Sequence, residues 1–168
     1  DMSFAPGIST EQARMYNEKA LDVAEKIVAL KPKDPAGHVA RGVCKGRLAY
    51  FSDNRRKIEL AKEAEESVRM ALELNGESDL GHHLMGRFQY EMAGLNLFCR
   101  AFVRVVYGTT LSPGSYQHAL EAFEKAHSLR PDRVIHKVLL GKTYDKLGYK
   151  QQALESLQVI HVTNQIYN

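Results

Sequence analysis

Small residues set at fixed distances from apolar ones constrain this chain more than any other feature of its sequence. In "LLGKTYDKLGYKQQALESL", residues 139–157, the residues Gly141, Tyr144, Gly148, Ala153 and Leu157 fall at intervals that suit two helices crossing at close range. Glycine in one helix lets the other approach, and the small and apolar residues that follow supply the approaching face. The second half of that pattern recurs three times upstream: Ala119, Phe123, Ala126 and Pro131; Ala64, Val68, Ala71 and Gly76; Ala20, Ala24, Ile27 and Pro32. A proline in the last place cannot continue a helix and therefore ends it.

Helical signals run through the whole chain, and period-2 strand patterns are nearly absent. Ala13, Tyr16, Ala20, Ala24, Ile27 and Leu30 line one face of a first helix, opened by a capping box at Ser9 and Gln12 and closed by Pro32. Asp34-Pro35 pairs an N-cap with proline at the first helical position, and predicts a helix to about Phe51. "SDNRR" turns the chain into a helix from about Arg55 to Leu74, ended by Asn75-Gly76. The next helix starts at Asp79 and breaks near Gly94. "TTLSPGS" reads as a loop, with a helix from about Gly114 to just before Pro131. Asp132 opens another, Gly148 interrupts it, and a last helix covers about Lys150 to His161.

These spacings match the 34-residue tetratricopeptide unit, which places a small residue at position 8, an aromatic at 11, small residues at 20 and 27, an apolar one at 24 and proline at 32. With Val134 at position 1, Gly141 falls at 8 and Tyr144 at 11; Gly42 and Gly86 hold position 8 of two earlier units. The expectation is an all-α, tetratricopeptide-like helical-hairpin solenoid. It is expected to form a single domain over 1–168, with units at about 10–34, 35–78, 79–133 and 134–165. The first unit lacks its own first helix, which reads as a fragment of a longer chain.

One spacing departs from the repeat. Gly86 and Ala119 stand 33 positions apart where 12 would do, and Gly42 and Ala64 stand 22 apart. The middle hairpin is therefore lengthened. Its extra apolar residues, Leu95, Leu97, Phe98, Phe102, Val103, Val106 and Tyr107, are expected to pack on something. They either cap or widen the superhelix, or they line an apolar cavity or touch a membrane.

The chain resembles the regulator of microtubule dynamics family in "LELNGESDLGHHLMGRFQY", "RAFVRVVYGTTLSPGSYQHALEAFEKAHSLRPD" and "LLGKTYDKLGYKQQAL", over roughly residues 10 to 160. The resemblance implies a non-enzymatic adaptor linked to microtubules (tubulin among the partners) or to mitochondrion–endoplasmic reticulum contacts. The alternative it raises is a phospholipid-binding or lipid-transfer domain that uses a cavity under the inserted hairpin. It also implies a cytoplasmic location, on the cytosolic face of mitochondria or endoplasmic reticulum through an anchor outside this sequence.

Chemistry is sparse. No phosphate-binding glycine loop, nucleophile elbow or paired-histidine zinc motif occurs, so neither an enzyme nor a cofactor nor a metal is expected. His82 and His83 are adjacent, point about 100° apart on a helix, and are read as polar or half-buried residues. Cys44 and Cys99 belong to no pair motif and are expected as reduced, mostly buried thiols of a cytosolic-type compartment. A net charge of +3 falls short of the concentrated excess of a nucleic-acid binder, so no nucleic acid is expected.

The binding residues expected from repeat position are Arg47, Tyr50, Arg87, Tyr90, Lys142 and Lys146, on the concave faces of first helices with Glu91, Val138 and Asp145. Such cations suit a protein or peptide partner of acidic character, or a phosphate headgroup. Phe98, Arg100, Phe102 and Arg104 on the inserted segment form a second candidate, for an anionic phospholipid surface. The competing reading there is a packed amphipathic helix whose arginines reach to water.

Overall fold

The computed structural model describes residues 8–166, with side chains through Gln158. Every regular element among them is a helix. These are α1 (Thr10–Leu30), α2 (Pro35–Leu48) continued by a 3-10 turn (Ala49–Phe51), α3 (Asn54–Leu74), α4 (Asp79–Ala93), α5 (Leu97–Tyr107), α6 (Tyr116–Leu129), α7 (Val134–Leu147) and α8 (Lys150–Ile166). They pack as two compact units that divide between Gly76 and Glu77.

Local chemistry sets most helix starts. Ser9 Oγ accepts from the Gln12 amide at 3.2 Å while Gln12 Oε1 accepts from the Ser9 amide at 2.9 Å, completing the capping box. Asp34, Asp53, Ser78, Asn96 and Ser115 each accept an amide hydrogen at the starts of α2 to α6. Asp132 does not open α7 as its position predicts. Its carboxylate pairs with both guanidinium arms of Arg130 at 3.0 Å, and α7 begins at Val134 with no side-chain cap. Gly148 ends α7 in the left-handed region, at φ 83°.

In the first unit α2 packs on both α1 and α3. Leu48, Ala49 and Leu60 form the buried cluster, flanked by Leu21 and Phe51. Polar side chains tie the three helices at the edge of that cluster. Lys45, 12% exposed, lies 2.7 Å from Glu63 and 3.7 Å from Glu25. Burial pushes the Glu63 carboxyl up, but the hydrogen bond and charge of Lys45, then Arg56, bring it below the usual carboxylate value. The Arg41 guanidinium donates to Ser67 Oγ at 3.0 Å, and Ser67 in turn donates to the Glu63 carbonyl.

In the second unit α4 packs on α6, α6 on α7 and α7 on α8. Ala119, Leu120, Phe123 and Leu140 are its buried centre, with Tyr90, Leu139, Tyr144 and Leu147 around them. Helix α5 stands between α4 and α6 in sequence but packs broadly on neither.

The repeat glycines explain the hairpins directly. A Cβ on Gly42 would meet Val68 at 2.9 Å, one on Gly86 would meet the Phe123 ring at 2.7 Å, and one on Gly141 would meet Leu157 at 2.7 Å. In each pair position 8 of the first helix is pressed against position 24 of the second. Gly114 is tighter still, because its Cβ would lie 2.3 Å from the backbone nitrogen of Ala93. That contact holds residue 114 against the end of α4, so α6 starts at Tyr116 and not at Gly114.

Glycine-to-alanine substitutions should therefore separate by position. Gly86→Ala must displace the fully buried Phe123 and should destabilise the chain by about 1–3 kcal/mol. Gly46→Ala, in α2 with nothing within 4 Å of its added carbon, should stabilise by up to about 1 kcal/mol. Urea unfolding midpoints of the two variants should move in opposite directions.

Candidate interaction surface

The expected first-helix residues fall in both units. Arg47 lies exposed in the last turn of α2, and Tyr50 lies exposed in the 3-10 turn after it. In the second unit Lys142 and Lys146 stand exposed one turn apart on α7. Their neighbours in sequence do different work. The Tyr144 hydroxyl donates to Glu124 of α6 at 2.9 Å, and burial together with that carboxylate pushes the phenol up to about 12.

Two members of the expected surface turn partly inward. Tyr90 is half-buried and meets the Tyr116 ring edge-on at 5.2 Å. Burial raises its pKa, with Tyr116, Glu91 and Asp145 adding to the shift. Arg87 is also half-buried, close enough to His83 to lower the imidazole's proton affinity. The second unit therefore brings Tyr90 of α4 near Asp145 of α7, and of the cations expected there Lys142 and Lys146 are the exposed ones.

The inserted segment stands apart from the repeat helices in its burial. No residue of α5 is fully buried, and most of its apolar side chains lie exposed. Leu97, Phe98 and Val105 are 81%, 86% and 82% exposed, and Phe102 and Val106 are exposed beside them. Half-buried Arg100, Val103 and Tyr107 share the opposite side, at spacings of three and four. Arg100 turns back onto the chain: its guanidinium donates to the carbonyls of Met92 and Leu95 at the end of α4, and of Leu111 and Ser112 in the following loop. Four peptide oxygens hold one cation, so this residue fastens α5 to its neighbours. Arg104 remains exposed in the last turn. Cys99 is also exposed on α5, whereas Cys44 is buried with its thiol raised by that burial.

A buried polar cluster connects α4 to α7. His83 and His136, 6% and 0% exposed, face one another with their Nδ1 atoms 3.0 Å apart. His136 Nε2 lies 3.2 Å from Asp79 Oδ2, and Arg133 Nε donates to the same oxygen at 3.2 Å. His83 is thus a core residue with a partner 53 positions away, which its sequence neighbourhood does not signal. Among the described residues no three His, Cys, Asp or Glu side chains gather in a metal-holding arrangement. No described helix is long and apolar enough to cross a membrane.

Comparison with known proteins now decides the family. The sequence model for "Regulator of microtubule dynamics protein 1-3" matches residues 2–167. The chain belongs to this family. It is 30% identical over 155 residues to regulator of microtubule dynamics protein 1 of Bos taurus, covering 91% of this chain and 48% of that protein. It is 29% identical to regulator of microtubule dynamics protein 3 of Rattus norvegicus, covering 95% of this chain and 34% of that protein. The chain thus spans half or less of the curated relatives it matches. A thermophilic TPR protein of Thermus thermophilus superposes with a TM-score of 0.62 at 17% identity, over 88% of this chain and 68% of the other. At that identity the likeness speaks for the fold, which is all-α and tetratricopeptide-like.

If Arg100 is the fastening of α5, Arg100→Met should loosen that helix alone. Hydrogen bonds from a charged donor contribute about 1.5–3 kcal/mol to what they hold. Amides of residues 97–107 should exchange at least tenfold faster than in the parent chain. Those of α4 and α6 should keep their protection.

Proposed function

We propose that this chain is a non-catalytic binding module in microtubule regulation, with α7 contributing the contact. The observation that carries this reading is the pair of exposed cations, Lys142 and Lys146, one turn apart on the first helix of a repeat hairpin. Family membership supplies the biological direction, and a protein partner follows from what stacked hairpins offer: rigid helices presenting side chains along a surface. Paired ammonium groups at this spacing suit carboxylates on an acidic protein surface, which makes the microtubule itself a fitting partner. Arg47 and Tyr50 in the first unit, with Arg87 and Tyr90 in the second, extend the same reading.

A second reading rests on a separate observation, the bare apolar side of α5. Phe98 and Phe102 are exposed on a helix that also carries exposed Arg104, a combination suited to the interface of an anionic bilayer. In that reading the module attaches to phospholipid, and work at mitochondrial or endoplasmic reticulum surfaces follows. Arg100 then serves as the fastening of the membrane-facing helix and not as a headgroup contact.

Co-sedimentation with stabilised microtubules at two salt concentrations tests the first reading. Lys142→Glu with Lys146→Glu should fold normally, because exposed charges seldom contribute more than about 0.5 kcal/mol each. It should also lose at least fivefold in microtubule affinity, most visibly at low salt. Unchanged co-sedimentation of this variant would remove α7 from the contact. Phe98→Asp with Phe102→Asp, floated with vesicles containing phosphatidic acid, addresses the second reading: loss of flotation in this variant alone would move recognition to α5.

A further inference from the structure

The second unit holds a group of ionisable side chains, two of them buried histidines, that the binding reading does not use. Asp79 and His83 stand on successive turns of α4, while Arg133 immediately precedes α7 and His136 lies in its first turn. His136 is fully buried and His83 nearly so. Hydrogen-bond chemistry decides how the protons are arranged at neutral pH. The Asp79 carboxylate can only accept, so His136 Nε2–H donates to it across 3.2 Å. A neutral imidazole carries one hydrogen, which leaves His136 Nδ1 an acceptor. The bond between the two rings is therefore His83 Nδ1–H donating to His136 Nδ1 across 3.0 Å. One proton more can be taken up without breaking this line, since either ring can become the cation while the other supplies a lone pair. Two cannot. With both rings cationic, both Nδ1 atoms carry hydrogen, and two N–H groups would face each other across a hydrogen-bond distance in a site closed to water.

We propose that the His83–His136 pair is an acid-sensitive joint that holds α7 to α4 and releases it when both imidazoles are charged.

All the neighbouring charges on His83 but that of Asp79 act in the same direction. On α4, Arg87 opposes a charge on His83 and Asp79 favours one. Beside α7, Arg133 opposes it, and Lys137 adds positive charge near His127. From α6 the Phe123 ring meets His83 edge-on at 5.7 Å and offers no acceptor, and His127 lies near His136. The described charged residues of α8, Lys150 and Glu155, are exposed. Burial is the largest cause, and His136, Arg87 and Arg133 add to it, so that His83 is lowered to about 4 from an ordinary 6.5.

The sign of the pH dependence follows. A histidine with a lowered folded pKa contributes stability that is fully present above 6.5 and is lost as pH falls toward 4, because the opened state binds the extra proton. Between pH 7 and pH 5 the His83 proton by itself should lower the equilibrium for closing the joint roughly twentyfold.

Hydrogen exchange on the whole chain at pH 7 and pH 5, corrected for intrinsic exchange, tests this. Protection in α7 and α8 should drop by roughly that factor, while α2 and α3 change far less. His83→Asn keeps an amide donor near the place of Nδ1 but cannot take a proton, and should remove the acid response of α7. An acid response of α7 that persists unchanged in this variant would overturn the proposal. A second measurement is independent of the variant's folding: the His83 ring resonances of the unaltered chain, followed from pH 8 to pH 4. They should titrate near 4, and a midpoint near 6.5 would overturn the proposal equally.

Discussion

The close crossing of a glycine over a bulky side chain is the contact on which the helical hairpins rest. Gly42 against Val68, Gly86 against Phe123 and Gly141 against Leu157 repeat one solution, at Cβ distances that leave no room for a methyl group. Each crossing brings two helices near enough for the rest of their faces to exclude water. Phe123 shows the result most clearly: it is fully buried because Gly86 yields it the space, and Leu120 and Leu140 close around it. In a small unit with only a handful of large buried residues, losing one such contact removes a substantial part of the apolar burial that opposes chain entropy.

How much of this was legible in the residues depends on the range of the interaction responsible. Caps and turns are local, so Ser9 with Gln12, Asp34 with Pro35, the break at Gly94 and the reversal at Gly148 could be read from a few neighbours. The hairpin register was legible because it repeats, and repetition makes a long-range contact look like a pattern. Asp132 misled because an aspartate before a helix has two uses, and the nearby Arg130 took it for a salt bridge. The start of α6 shifted by two residues because Gly114 is gripped by the backbone of α4, a constraint that no nearby residue announces.

The site residues divide on the same lines. Lys142 and Lys146 stand exposed on α7. Tyr90 and Arg87 hold equally suggestive positions but turn partly inward; for Tyr90 the neighbour is the Tyr116 ring of α6, which tertiary packing supplies. The pairing of His83 with His136 was beyond reach of sequence pattern, being one contact between two successive repeats with no counterpart elsewhere in the sequence pattern. The apolar residues of α5 were open to three readings, a cap on the superhelix, a cavity lining or a membrane contact, because sequence pattern does not say what lies opposite them. What ties the segment down is Arg100, whose guanidinium donates to carbonyls at the end of α4 and in the following loop.

The grip on Gly114 has a consequence for how this architecture can vary. The chain leaves the repeat at Gly94 and returns at Gly114, which touches the backbone of Ala93. Departure and re-entry are therefore the same place in space, and everything between them is a closed excursion. The hairpin of α4 and α6 does not register how long that excursion is, and closing a loop twice as long adds only about 0.6 kcal/mol of entropy. Helix α5 can thus be lengthened, shortened or rewritten without disturbing the crossing of Gly86 over Phe123. A repeat normally ties every residue to the common scaffold; here one stretch has been let out of that obligation, and its sequence is free to follow whatever it meets outside.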